Sequence, residues 1–216
     1  MKNTLLAVGL FTLIMWTSCG DGNIFVEADP AIQAAEDSAT IVNYIDDLGL
    51  TGMDSVLLSG VHYVILDSGD GQFIDESDIV SFDYIGRTLN DTIFDTSIKE
   101  IADSIRILVA EDTVGVEATL KQLSLLISFE EERSYEPFEI TYAASGWPFA
   151  GRFIRGFEQG VSATFKLMRE GGKALIVIPS AQAYGPGGSG VLIPGNTVIA
   201  FELFPLDVVK QPSLDD

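Results

Sequence analysis

Ala183-Tyr184-Gly185-Pro186-Gly187-Gly188-Ser189-Gly190-Val191-Leu192-Ile193-Pro194 is the stretch on which the reading of this chain turns. It sets an aromatic hydroxyl beside a glycine-rich flap and follows the flap with an apolar tripeptide. Val191-Leu192-Ile193 gains only by leaving water, and the glycines leave the flap free to fold over whatever it covers. A shallow apolar pocket with one polar handle needs these parts. The spacing of Gly185, Gly187 and Gly190 also matches a dinucleotide fingerprint. However, Val191-Leu192-Ile193-Pro194 cannot open the helix whose N-terminus would hold a pyrophosphate.

Outward from the flap the texture is that of strands. Val61 to Leu66, Ile79 to Ile85, Thr92 to Phe94, Phe138 to Tyr142, Ala174 to Ile178 and Val198 to Phe204 are short β-rich runs. Turn residues such as Ser68-Gly69-Asp70-Gly71, Asn90-Asp91 and Gly171-Gly172 separate them, as in an antiparallel sheet. The run from Phe153 to Val161 begins as a turn and continues as a short helix to about Met168. The expected class is therefore α+β, an antiparallel sheet wrapped around one short helix.

Residues 98 to 136 interrupt this texture. Ile98, Ile101, Ile105 and Leu108 follow helical spacing, with Ser97 and Glu100 placed as a capping box. Beyond Gly115, Val116, Leu120, Leu123 and Ile127 predict a second helix. This helical insertion is expected to pack near the domain and to be replaceable by a short loop without loss of the fold.

The N-terminus divides into a signal-like segment, a linker and a helix. Lys2 precedes an apolar run from Leu5 to Trp16, too short for a membrane span of roughly 20 residues, and Thr17-Ser18 precede Cys19. That arrangement resembles a bacterial lipoprotein signal over 1–18, with Cys19 lipidated and the mature chain anchored to a membrane in the cell envelope. Trp16 departs from the leucine usual at its position. Residues 19–59 then carry a linker and one helix, with Asp29 as its cap, Pro30 in its first turn and Gly49 at its end. The domain proper is expected over 60–210, able to fold from about Ser59 onward, with 211–216 as a tail.

Composition removes several functions. The formal net charge is -20, so no basic face is available to neutralise phosphates, and nucleic acid is not expected as a partner. A lone cysteine excludes an internal disulfide. The acidic loop from Asp67 to Asp78 fails as a calcium site, because Gly69 and Gly71 stand where oxygen ligands belong. His62, the only histidine, lies in a strand-like run and is read as a satisfied or surface residue, not a base. No metal or cofactor is expected.

Several segments occur in a telling order. Ser81-Phe82-Asp83-Tyr84-Ile85-Gly86 is followed by Ile93-Phe94-Asp95-Thr96-Ser97 and Pro137-Phe138-Glu139-Ile140. Phe153-Ile154-Arg155-Gly156-Phe157-Glu158-Gln159-Gly160 comes next, then Ala183-Tyr184-Gly185, then Ile193-Pro194-Gly195-Asn196-Thr197 leading to Phe201-Glu202-Leu203. In this order the chain resembles the FKBP-type peptidyl-prolyl isomerases, from about Gly60 to Val209 with the insertion set aside.

The resemblance implies an FKBP-like fold and a pocket walled by Tyr84, Phe94, Phe138, Phe153, Ile154, Ile193 and Phe201, with Phe157 as its floor. It implies Asp95 and Tyr184 as polar handles and the Ile154 amide as donor to a substrate carbonyl. The floor is commonly tryptophan in the family, and the flap position often held by histidine is Ser189 here. The substrates implied are X-Pro bonds of unfolded or exported polypeptides. Two other readings stay open, a peptide-binding chaperone of low turnover and a structural envelope lipoprotein.

Overall fold

The computed structural model describes residues 29–111, 133–143 and 154–212, with Leu125 and Phe129. The signal segment, Cys19, the second insertion helix and Phe153 lie outside the described residues. Strands β1 (Ser55–Val56), β2 (His62–Asp67), β3 (Ile79–Thr88), β4 (Ile93–Thr96), β5 (Phe138–Thr141), β6 (Lys173–Ile178) and β7 (Ile199–Val209) join in one sheet. Its order is β1-β2-β6-β7-β3-β4, with β5 on the first half of β3, and the pairings are antiparallel. The helices are α1 (Pro30–Asp47), α2 (Lys99–Glu111) and α3 (Arg155–Phe165). The fold is FKBP-like and α+β.

Alternation along the central strands sends side chains to two cores. Ala174, Ile176 and Ile178 of β6 join Ile199, Phe201 and Leu203 of β7 beneath α3, in a cluster that also holds Phe82, Tyr84, Phe157 and Phe165. Leu175 and Val177 of β6 point the other way, with Val64, Val198 and Ala200, and meet Ile41 and Ile45 of α1. A strand apolar on both faces has to be covered on both. The sheet therefore carries a helix on each side, where the sequence suggested one helix within the wrap and another standing between an anchor and the domain. A fragment beginning near Ser59 would lay the second cluster bare.

Local chemistry accounts for the element ends. Asp29 caps α1 by accepting from the Ala31 amide at 2.9 Å, Pro30 opens it, and Gly49 leaves it in the left-handed region. Strand β7 runs past Phe204, where its apolar run was expected to stop. Pro205 pairs with Phe82 next to the bulged β7 residue Leu206, a position where a missing N–H costs the ladder little. Ser97 does not cap α2. Its hydroxyl donates to Asp83 at 2.6 Å and accepts from the Tyr84 amide at 3.0 Å, so it fastens β4 to β3. His62 is buried and satisfied, with Nδ1 2.7 Å from Asp54.

Candidate active site

The site is assembled on the seam between β3 and β4. Asp95 pairs with Gly86 and Ile93 with Arg87, which makes Phe94 the extra residue of a bulge. A bulge re-aims side chains. The Phe94 ring consequently stands edge-on to Phe201 at 5.6 Å and to Tyr184 at 6.5 Å, while Asp95 reaches Tyr84. Gly86 makes this closure possible, since a Cβ there would lie 2.6 Å from Phe201 and 2.9 Å from Phe94. Only a residue without a side chain lets the two rings meet over β3.

Beneath them the aromatic residues form one packed group. Phe157 on α3 contacts Phe201 at 4.6 Å between ring centres, and Tyr84 lies 5.8 Å from Phe157, 6.1 Å from Phe201 and 6.0 Å from Phe138. Phe157, Phe201, Tyr84, Phe94 and Ile193 are buried, and Phe138, Ile154 and Tyr184 are partly buried against the same core. Such edge-to-face pairs add about 0.5 to 1.5 kcal/mol each beyond area burial. They form a rigid apolar group against which Phe94 is packed.

A cavity of about 240 Å³ is lined by Phe94, Asp95, Arg133, Tyr184, Ser189, Leu192 and Ile193. Phe94, Asp95, Tyr184 and Ile193 of the expected residues border this cavity directly. Phe157, Phe201, Tyr84 and Phe138 are not among its lining residues and belong to the aromatic group packed behind Phe94. Ile154 is the N-cap of α3, its carbonyl accepting from the amides of Phe157 and Glu158 at 3.1 and 3.3 Å.

Arg133 is the residue that sequence reasoning missed. It donates to Asp95 Oδ1 at 2.7 Å, while the Tyr84 hydroxyl donates to Asp95 Oδ2 at 2.9 Å. Asp95 thus has a partner on each oxygen, and its charge is balanced by a cation half-buried beside it. An insertion drawn from 98 to 136 cuts through this arrangement, because Arg133 belongs to the site. Replacing the whole segment would remove a lining residue as well as the helices. Nothing in the local sequence around Arg133 marks it, since its partner is 38 positions away.

The phenols at the site stay protonated. Desolvation first, and then the Asp95 charge, push Tyr184 above the ordinary tyrosine range, and the same two causes push Tyr84 far above it. Arg133 is held above the ordinary arginine value: desolvation opposes its charge, but the attraction of Asp95 and the hydrogen bond donated to it outweigh that. Tyr84, Tyr184 and Arg133 are therefore hydrogen-bond donors, and Asp95 is an acceptor already in use. Proton transfer is not what this constellation is built for.

Residues 106–204 match the family model described as FKBP-type peptidyl-prolyl cis-trans isomerase. Over that segment, somewhat less than half of its length, the chain is similar to that family. A probable FKBP-type peptidyl-prolyl cis-trans isomerase of Haemophilus influenzae is 27% identical over 150 residues, covering 69% of this chain and 43% of that protein. The chain therefore spans less than half the length of that relative. An FK506-binding protein of Neisseria meningitidis serogroup B is 40% identical over 60 residues, 28% of this chain and 51% of that protein. Among solved structures, FkpA from Escherichia coli aligns at TM-score 0.48 and 22% identity, covering 84% of this chain and 63% of that one.

Proposed function

We propose that this FKBP domain catalyses cis/trans exchange at X-Pro bonds, with the prolyl ring seated between Phe94, Ile193 and Tyr184. The observation that carries the reading is a group of locked aromatic rings packed against Phe94, one wall of a small cavity where Tyr184 and Arg133 are donors and Asp95 is already paired. Rotation about the bond faces about 18 to 20 kcal/mol because the twisted amide loses resonance, and no bond breaks. Moving the amide from water onto an apolar floor disfavours its planar, charge-separated form. A thousandfold acceleration needs about 4 kcal/mol of differential stabilisation, within reach of desolvation plus one or two oriented hydrogen bonds. Tyr184 and the Ile154 amide supply those bonds, and Asp95 acts through its field while Tyr84 and Arg133 hold it in place.

The test is magnetisation-exchange NMR on a Leu-Pro or Phe-Pro tetrapeptide with catalytic amounts of the protein. Exchange should rise in proportion to enzyme concentration. Peptide binding without faster exchange would favour the chaperone reading instead.

The clients proposed are unfolded or exported polypeptides, and the proposed location is a lipid anchor at Cys19 in a bacterial envelope. Support for the location is the sequence Leu5 to Cys19. Two or three acyl chains hold stably where one holds marginally, so the native protein should enter the detergent phase and Cys19→Ala should not. A native protein confined to the aqueous phase would overturn the anchor.

A further inference from the structure

We propose that Asp37, on the N-terminal helix α1, is a positioning residue for the site: it fixes the start of the segment that delivers Tyr184. Asp37 is 2% exposed, although it lies on a helix that is otherwise largely solvated. Its Oδ2 accepts from both the backbone amide and the hydroxyl of Ser180, each at 2.7 Å, and its Oδ1 accepts from Gln33 Nε2 at 2.8 Å. Ser180, 1% exposed, begins the 3-10 turn Ser180–Gln182. The Ala183 amide closes that turn onto the Ser180 carbonyl at 3.0 Å, and Tyr184 follows as the residue before the next turn, Gly185–Gly187. Beyond it, Asn196 donates to the Gly185 carbonyl at 2.8 Å and Ser189 pairs with Ile193. Hydrogen bonds thus fix the backbone on either side of Tyr184, from Asp37 through Ser180 to Ala183 before it and from Gly185 to Asn196 after it.

Stability alone is a poor reason for this carboxylate. Burying a charge costs about as much as its bonds return, and an apolar side chain of similar volume packs as well. Two short charge-assisted bonds to one residue add direction. The residue so directed stands four positions before the phenol that borders the cavity, and α1 lies outside the segment 106–204 that matches the family model.

The inference rests on the isomerase reading, so its test has one readout that needs activity and one that does not. In the full chain, Asp37→Ala should lower kcat/KM on a proline tetrapeptide on the order of tenfold, and Ser180→Ala, which keeps the backbone bond, about two- to threefold. If Asp37 acts through Tyr184, the same Asp37→Ala change made on Tyr184→Phe should cost about twofold at most, because coupled residues are not additive. Hydrogen exchange without peptide should accelerate at Ala183 and Gly188 while the β6 amides stay protected. Equal losses in both backgrounds, or exchange rising equally in β6, would reduce Asp37 to scaffolding and overturn the proposal. Should the parent prove inactive, the isomerase reading falls and the exchange pattern by itself decides for or against the positioning role.

Discussion

Helix α3 meets β6 on the inner face of the sheet through two glycines, whereas α1 lies on the outer face through side chains. On α3, a Cβ at Gly156 would fall 2.2 Å from Ile178, and one at Gly160 would fall 2.5 Å from Ile176. Backbone therefore rests directly on β6, and the Phe157 between them packs on Phe201. On α1, Ile41 and Ile45 fill a smaller cluster, and the buried carboxylate of Asp37 makes the polar contact. The first contact tolerates no added volume but is made by residues close together in sequence. The second is adaptable, and its polar tie depends on a partner 143 positions away.

The largest expected effect breaks the closer contact. Gly160→Val should cost about 3 kcal/mol or more, since overpacking a site with no free space outweighs the small gain in helix propensity. Thermal unfolding would read this as loss of most of the cooperative transition. Phe201→Ala comes next, at about 3 to 5 kcal/mol, and it should also abolish exchange activity because the floor under Phe94 is gone. A folded Phe201→Ala protein that retained turnover would detach the aromatic group from function.

Ile45→Ala tests the adaptable side. It should cost about 2 kcal/mol, at the lower end for such truncations, and leave tetrapeptide turnover intact in the folded fraction. A loss of turnover equal to that of a pocket variant would show that the outer cluster shapes the site as much as the inner one. Arg133→Met keeps the length of the side chain and removes the charge opposite Asp95. The unfolding free energy should change by no more than about 1 kcal/mol for a pair still partly open to solvent, while kcat/KM falls by about tenfold. Tyr184→Phe should lose less, about 0.5 to 1.5 kcal/mol of transition-state stabilisation.

The smallest effect lies far from the pocket. Burial alone would raise the Asp78 carboxyl, but hydrogen bonds from Lys210 and from the amides of Asp75 and Gln211 hold it below the ordinary aspartate value. A depressed carboxyl contributes stability that is present above its unfolded pKa, about 3.9, and is lost as pH falls through the folded one. Lys210→Met should therefore narrow the stability lost on acidification below about pH 4, a change visible in urea midpoints taken along the acid limb.

Much of this was legible in residues read locally. The strands show in β-branched runs, α1 in its Asp29-Pro30 start and Gly49 end, and the pocket aromatics in short segments whose order the family preserves. Each depends on neighbours within a few positions, and propensity and patterning act at that range. Ser97 misled because a capping pattern competes with any stronger partner. It found one in the Tyr84 amide and Asp83 across the hairpin.

What the sequence by itself determined was the alternation, the turns and the supply of aromatic rings. Tertiary structure alone decided which charges meet. Arg133 reaches Asp95 across 38 positions, and Asp37 reaches Ser180 across 143. Apolar residues announce burial through periodicity, since any apolar neighbour will serve them. A charged side chain needs one partner at one distance and angle, and only the folded backbone sets that geometry.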